Sequence, residues 1–330
     1  MSKLRLTLAC WDYDRARALS DGSVTAEGID LNILELPVEE TFFRMLRHRE
    51  FDAAEMSLSS YTVSLTRENP AFIAIPVFPS RLFRHNGIFI STRSGISEPK
   101  DLVGKRIGVP EYQLTAPVWM RGILQDEYGV DPTSVEYFTG GEEDPGREEK
   151  VALNLPPRFR VRAIAPHQTL SAMLAEGEID AITAPRNPST FRTRPDRVKR
   201  LFENYVEVER AYFRKTRIFP IMHTVVLRRD VYEAHPWVAQ SLAKAFIEAK
   251  RRAQENLYVV AAIKTMLPWQ IAHVEEAVRE LGEDWWSYGF EANRHVLDTF
   301  LRYHHEQGLS PRRFKPEELF APETFDSFKI

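Results

Sequence analysis

Apolar and polar side chains alternate over residues 4–9, with the period of a half-buried strand. That strand delivers the chain to a polar-aromatic cluster, Trp11-Asp12-Tyr13-Asp14-Arg15. A turn at Asp21-Gly22 precedes a second predicted strand over 31–36. A helix is then predicted over about 39–48, with Phe42, Phe43, Met45 and Leu46 on its apolar side. Residues 51–56 read as a short strand ending in Ser57-Leu58-Ser59-Ser60, hydroxyls suited to cap a following helix and to hold an anion at its start.

The pattern then recurs. The run from Met45 to Ala53 lies on the run from Met173 to Ala181 at an offset of 128 residues, and the same offset lays strand 31–36 on 159–164 and Thr41 on Thr169. A helix feeding a strand through a turn in each half predicts an α/β fold of two similar lobes, each a mixed sheet flanked by helices. Lobe one is expected over 1–92 and 219–330, and lobe two over 93–218. Two crossing strands join them, one near 86–92 and one within 217–229. The second lobe opens on Asp101-Leu102-Val103-Gly104-Lys105-Arg106-Ile107-Gly108-Val109 and carries an acidic surface loop over 139–158. Long helices are predicted over 235–264 and 291–307, and the tail from Pro311 is expected to pack on a surface or against a second subunit.

Within 217–229, Val225, Val226 and Leu227 suit a buried strand, while Pro220 and His223 break its pattern. A histidine there reads either as a core residue bonded to a carbonyl or as a functional group. Composition narrows the partners. Forty-four basic and 47 acidic residues leave a net charge of -3 without a large single-sign field, so neither nucleic acid nor an anionic membrane is expected. Cys10 is the one cysteine in the sequence, which excludes an internal disulfide and a cysteine-based zinc site. No apolar run reaches membrane-spanning length and no apolar leader opens the sequence, so a cytoplasmic location is expected. No glycine-rich nucleotide fingerprint occurs, and there is no His-x-His or His-Glu-x-x-His metal spacing. No cofactor is therefore expected; a divalent metal would need folding to gather Asp12, Asp14 and His223.

The crossing strands and the Asp-Leu-Val-Gly-Lys run resemble the type II periplasmic-binding-protein fold. Trp11-Asp12-Tyr13-Asp14-Arg15, Phe83-Arg84-His85-Asn86-Gly87, Gly108-Val109-Pro110-Glu111-Tyr112-Gln113 and Phe219-Pro220-Ile221-Met222-His223 together resemble the 4,5-dihydroxyphthalate decarboxylase family over almost the whole chain. The resemblance implies a carboxy-lyase acting on a small aromatic dicarboxylate in phthalate degradation, with the ligand between the lobes; a homo-oligomer is also expected. The alternatives are a solute-binding protein for an aromatic carboxylate, without catalysis, and an enzyme of this fold in thiamine-precursor or menaquinone synthesis.

That chemistry needs cations for a dianion, an acid that protonates carbon, and an acceptor for a phenolic proton. Arginine meets a carboxylate with a planar fork, so Arg15, Arg81, Arg84 and Arg186, all in loops or at strand ends, are the candidate clamps. Ser57, Ser59 and Thr115 are candidate donors at helix starts, although capping explains them equally. Gln113 joins them from the matching motif. Histidine has the pKa nearest working pH; His223 and His85 fall on the two crossing segments and are the expected acid–base pair, with Asp14 orienting an imidazole or accepting the phenolic proton. Trp11, Tyr13 and Tyr112 offer faces for the ring.

Overall fold

The computed structural model of the protein describes residues 2–325. The strand predicted at the N-terminus forms as β1 (Leu4–Cys10) and pairs in parallel with β2 (Ile29–Glu35) over all seven residues. On its other side β1 meets β3 (Ala53–Ser57), also in parallel. The next strand of the sheet comes from far along the chain: β11 (His223–Arg228) runs antiparallel to both β3 and β4 (Phe72–Ile75). The resulting order is β2-β1-β3-β11-β4. All five residues of β3 are buried, as befits a central strand covered on both faces. Helix α1 (Asp14–Ser20) follows β1, α2 (Val38–His48) buries Phe42 and Met45, and α3 (Leu58–Ser64) follows β3 directly.

This sheet belongs to the first of two compact units, Met1–Arg81, Ile221–Leu297 and Lys315–Ile330; the second is Leu82–Pro220 with Asp298–Phe314. Residues 326–330 of the predicted packing tail lie outside the described residues. The second unit holds β5 (Ile88–Ser91), β6 (Arg106–Val109), β7 (Glu136–Thr139), β8 (Arg160–Ala163), β9 (Ala181–Thr183) and β10 (Val198–Arg200), in the order β10-β5-β9-β6-β7-β8. Taken as β7, β6, β9, β5 and β10, these strands repeat the order and directions of β2, β1, β3, β11 and β4. The two units are thus built on one topology.

The sequence repeat holds where local chemistry is strongest. Helix α5 (Leu170–Glu176) ends at Gly177 with φ 79°, as α2 ends at Arg49 with φ 50°, and each left-handed turn leads four residues later into a strand starting with alanine, Ala181 or Ala53. The strand match does not carry through: β8 lies one position further out than β2, and β7 takes the place beside the first strand. Two assignments also move. β5 pairs with β9 and β10, so residues 82–92 belong to the second unit and not the first. Residues 298–314 join it too, because Phe300 and Tyr303 pack on Trp119 of α4 (Thr115–Tyr128), with ring centroids 5.4 and 5.7 Å away. Gly122 permits that approach: a Cβ there would lie 2.2 Å from the Tyr303 ring. No helix among the described residues is long and apolar enough to cross a membrane.

Candidate active site

A glutamate in the middle of a buried strand is the first anomaly of the first unit. Glu55 lies on β3 with 0% of its surface exposed. Burying a carboxylate is costly unless its oxygens are satisfied, and here both are. Oε1 accepts a hydrogen bond of 2.6 Å from the Tyr13 hydroxyl and lies 2.6 Å from Nδ1 of His223. Oε2 accepts from the Trp11 backbone N–H at 3.2 Å and from the Cys10 thiol at 3.9 Å. Strand register explains the central pair. His223, the first residue of β11, stands opposite Ser57, and Glu55 is two residues along the same face, within diagonal reach of an imidazole. Trp11 and Tyr13 arrive because β1 ends beside β3 and turns sharply into α1.

Burial works to raise the Glu55 carboxyl, but the charge and hydrogen bond of His223, the Tyr13 hydroxyl and the Trp11 N–H outweigh it and hold Glu55 below the usual glutamate value. Glu55 is therefore an anion. The same desolvation, with the Glu55 charge added, pushes both the Tyr13 phenol and the Cys10 thiol well up, so both stay protonated. An anion at Nδ1 favours the imidazole tautomer with its proton there. Only 18% of the His223 side chain is exposed, and Nε2 has no protein partner among the described residues. The edge of the Phe42 ring, 4.9 Å between centroids, packs the imidazole in place. The arrangement is a buried carboxylate that orients a histidine whose other nitrogen faces outward, able to give or take a proton.

The remaining candidates divide. Trp11 is exposed beside this site, and Tyr13 is tied to Glu55. Arg15 lies over the faces of Tyr13 and Trp286, 4.1 and 4.2 Å from their centroids, and donates to the Pro79 carbonyl. Asp14 instead begins α1 on the exposed side and accepts from Arg15, so the acid that meets His223 is Glu55. Ser57 caps α3 through the Ser60 N–H, and Ser59 is buried within that helix. Arg81 is also buried, donating to the Ser287 carbonyl and Asn293; burial pulls it down to about 9.

In the second unit, Arg84 is buried beneath the Pro185 carbonyl, and burial lowers it to about 10. Arg186 is exposed just past β9. Tyr112 and Gln113 are fully buried rather than open faces, Tyr112 against Tyr137, Phe159 and Arg121 and Gln113 against Glu111. Thr115 is the first residue of α4. His85 has a different setting from the one expected. Its ring is enclosed by Phe202, Tyr212 and Tyr128, neither nitrogen has a partner among the described residues, and burial lowers it to about 4, so it is a neutral ring among rings.

No protein-family model matches the chain. A curated relative from Comamonas testosteroni, 4,5-dihydroxyphthalate decarboxylase, is 45% identical over 330 residues, covering 100% of both chains. The chain belongs to the 4,5-dihydroxyphthalate decarboxylase family. A Pseudomonas putida protein of the same description is 46% identical over 204 residues, 62% of this chain and 79% of that one. Among solved structures, the periplasmic aliphatic sulphonate binding protein SsuA from Escherichia coli superposes with a TM-score of 0.57 at 12% identity, over 98% of this chain and 99% of that one. A sulfonate-binding protein from Methylobacillus flagellatus gives 0.55 at 13% identity, over 98% and 93%. These likenesses establish the periplasmic-binding-protein fold for this member of the decarboxylase family.

Glu55 is the residue sequence reading missed. Its signal was present in Ala53-Ala54-Glu55-Met56, an acid inside an otherwise apolar run, where an unpaired charge would be untenable.

Proposed function

We propose that this protein decarboxylates 4,5-dihydroxyphthalate to protocatechuate without oxidation, using the Glu55–His223 pair as its proton-transfer device. The observation that carries the reading is that pair, 2.6 Å from oxygen to nitrogen, in a chain 45% identical to a curated decarboxylase of this description over its whole length.

Each carboxylate of the substrate lies para to a hydroxyl. Protonation of the carbon bearing the departing carboxylate gives a ring cation that the para oxygen stabilises as a dienone when its own proton is drawn off. The carbon–carboxylate bond then breaks, its electron pair restores the aromatic ring, CO2 leaves, and the oxygen regains its proton. The net change is one proton in and one CO2 out. His223 Nε2 delivers the proton to carbon, and the Glu55 carboxylate steadies the imidazolium before transfer. Tyr13 fixes the Glu55 oxygen that His223 uses. Trp11 offers a ring face, and Arg15, over the ring of Tyr13 in the same unit, supplies positive charge for the substrate. These steps need only proton transfer and charge stabilisation, so the reading includes no cofactor; dialysis against a chelator should leave turnover unchanged.

The same reading places the reaction in phthalate breakdown, in the cytoplasm and in a homo-oligomer. An apolar stretch that includes Val260, Met266 and Trp269, with Met266 99% exposed, supports the oligomer. Light scattering and cell fractionation check the two assignments. The deciding experiment is to incubate purified protein with 4,5-dihydroxyphthalate and follow CO2 and protocatechuate. Tight binding with no CO2 would replace the decarboxylase by a binding protein for an aromatic carboxylate.

A further inference from the structure

The acidic loop of the second unit is anchored by a buried charge. Glu111, two residues beyond β6, is fully buried and accepts hydrogen bonds from Arg147 Nε at 2.9 Å, Arg147 Nη2 at 2.7 Å and the Lys150 backbone N–H at 2.9 Å. Lys150 Nζ and Gln113 Nε2 complete the set. Desolvation is outweighed by these cations and bonds, and Glu111 stays below the usual glutamate value.

The clamp at 147 and 150 dictates where Glu149 goes. Its Oε1 accepts the Tyr112 backbone N–H, while Oε2 is buried without a partner among the described residues. Beside the same strand end, Arg121 is 2% exposed; its Nε donates to Gln307, its Nη2 donates to the Tyr112 carbonyl, and its Nη1 is buried without a partner among the described residues. The Arg121 guanidinium is tied to Tyr112 through that carbonyl, and a backbone N–H together with a guanidinium N–H are donors a carboxylate takes. Glu149 uses the Tyr112 N–H alone: one of its oxygens is satisfied and the other is not, a costly state for a buried acid. Desolvation and the nearby Glu111 charge accordingly push it up to about 7, against the Tyr112 N–H, Arg121 and Lys150.

We infer that the Tyr112 N–H and Arg121 Nη1 form a carboxylate subsite occupied by the chain's own Glu149, and that one carboxylate of an aromatic dicarboxylate takes this subsite by displacing it. A free carboxylate can turn both oxygens to the donors, whereas the position of Glu149 is fixed by its neighbours on Glu111. The loop then sets specificity, because a ligand must carry an anion that outcompetes a tethered one. The ligand class rests on the function proposed above, and the donor set does not.

Phthalate is the probe, because it has both carboxylates but no para hydroxyl and so should bind without reacting. Calorimetric titration of the full chain should show Glu149→Ala binding phthalate roughly three- to tenfold more tightly than the parent, with Glu149→Gln between them, since each removes an internal competitor. Phthalate should also speed tryptic cleavage of the parent after Arg147 and Lys150 as the loop is released. Unchanged or weaker binding by both variants at an unchanged Tm, or a cleavage rate that ignores phthalate, would overturn the subsite in favour of a structural Glu149–Arg121 pair. Either result leaves CO2 release from 4,5-dihydroxyphthalate as a separate measurement, so failure of the subsite is distinguishable from failure of the function.

Discussion

At the scale of single residues, the site is a problem of charge in a place without water. Glu55 is tolerated on β3 because four donors meet its two oxygens, and the value of that arrangement is what it does to His223. His223→Ala should lower kcat by about 10²–10⁴ while leaving substrate affinity within about tenfold, as expected for loss of a general acid. Glu55→Gln should lower kcat by roughly 10², and the double variant should be little worse than His223→Ala alone, because both act through one proton. Independent, multiplicative losses in steady-state kinetics would separate the two residues. His85 poses the opposite case. Its ring is neutral in the fold down to about pH 4 but takes a proton in the unfolded chain near pH 6.5. Acidification through that window therefore favours unfolding, by roughly 3 kcal/mol once pH 4 is passed. His85→Phe should flatten the dependence of urea-unfolding stability between pH 6.5 and pH 4 and keep turnover within about threefold; loss of turnover at unchanged stability would put His85 back in the chemistry.

At the scale of elements, the two helix-to-strand turns share a backbone shape with different residues in it. Gly177 adopts φ 79° without strain, whereas Arg49 holds φ 50° with a Cβ. Arg49→Gly should thus stabilise the first unit by up to about 1 kcal/mol, and Gly177→Ala should cost about the same in the second. Thermal unfolding of the two variants reads both signs, and equal shifts in one direction would contradict the shared geometry. This repeat was legible in sequence because helix ends and buried strands are local chemistry. The exchange of β8 for β7 was not, since which strand lies beside which is decided by hydrogen bonds between residues far apart in the chain.

For the whole molecule, the mixed charge that argued against nucleic acid carries a kinetic consequence. With a net charge of -3 spread over both signs, long-range steering of a dianion is weak, and recognition falls to short-range contacts. kcat/KM for 4,5-dihydroxyphthalate should change by less than about threefold between about 0.02 and about 0.2 M salt. A steep fall would reveal a steering field that the charge count hides.

The sequence by itself determined the two-sheet α/β class, the repeat, the family and the candidacy of His223, because these follow from periodicity, local capping and motif spacing. It also led to Trp11 and Tyr13, since a polar cluster at a strand end is visible without coordinates. Tertiary structure decided the rest. Only the antiparallel register of β11 on β3 brings His223 to Glu55, 168 residues apart, and gives the histidine an anion in place of Asp14 or His85. Only packing shows that His85, Tyr112 and Gln113 are enclosed. A side chain's identity states what chemistry it can do; its partners and its access to water are set by chain segments that no local pattern connects.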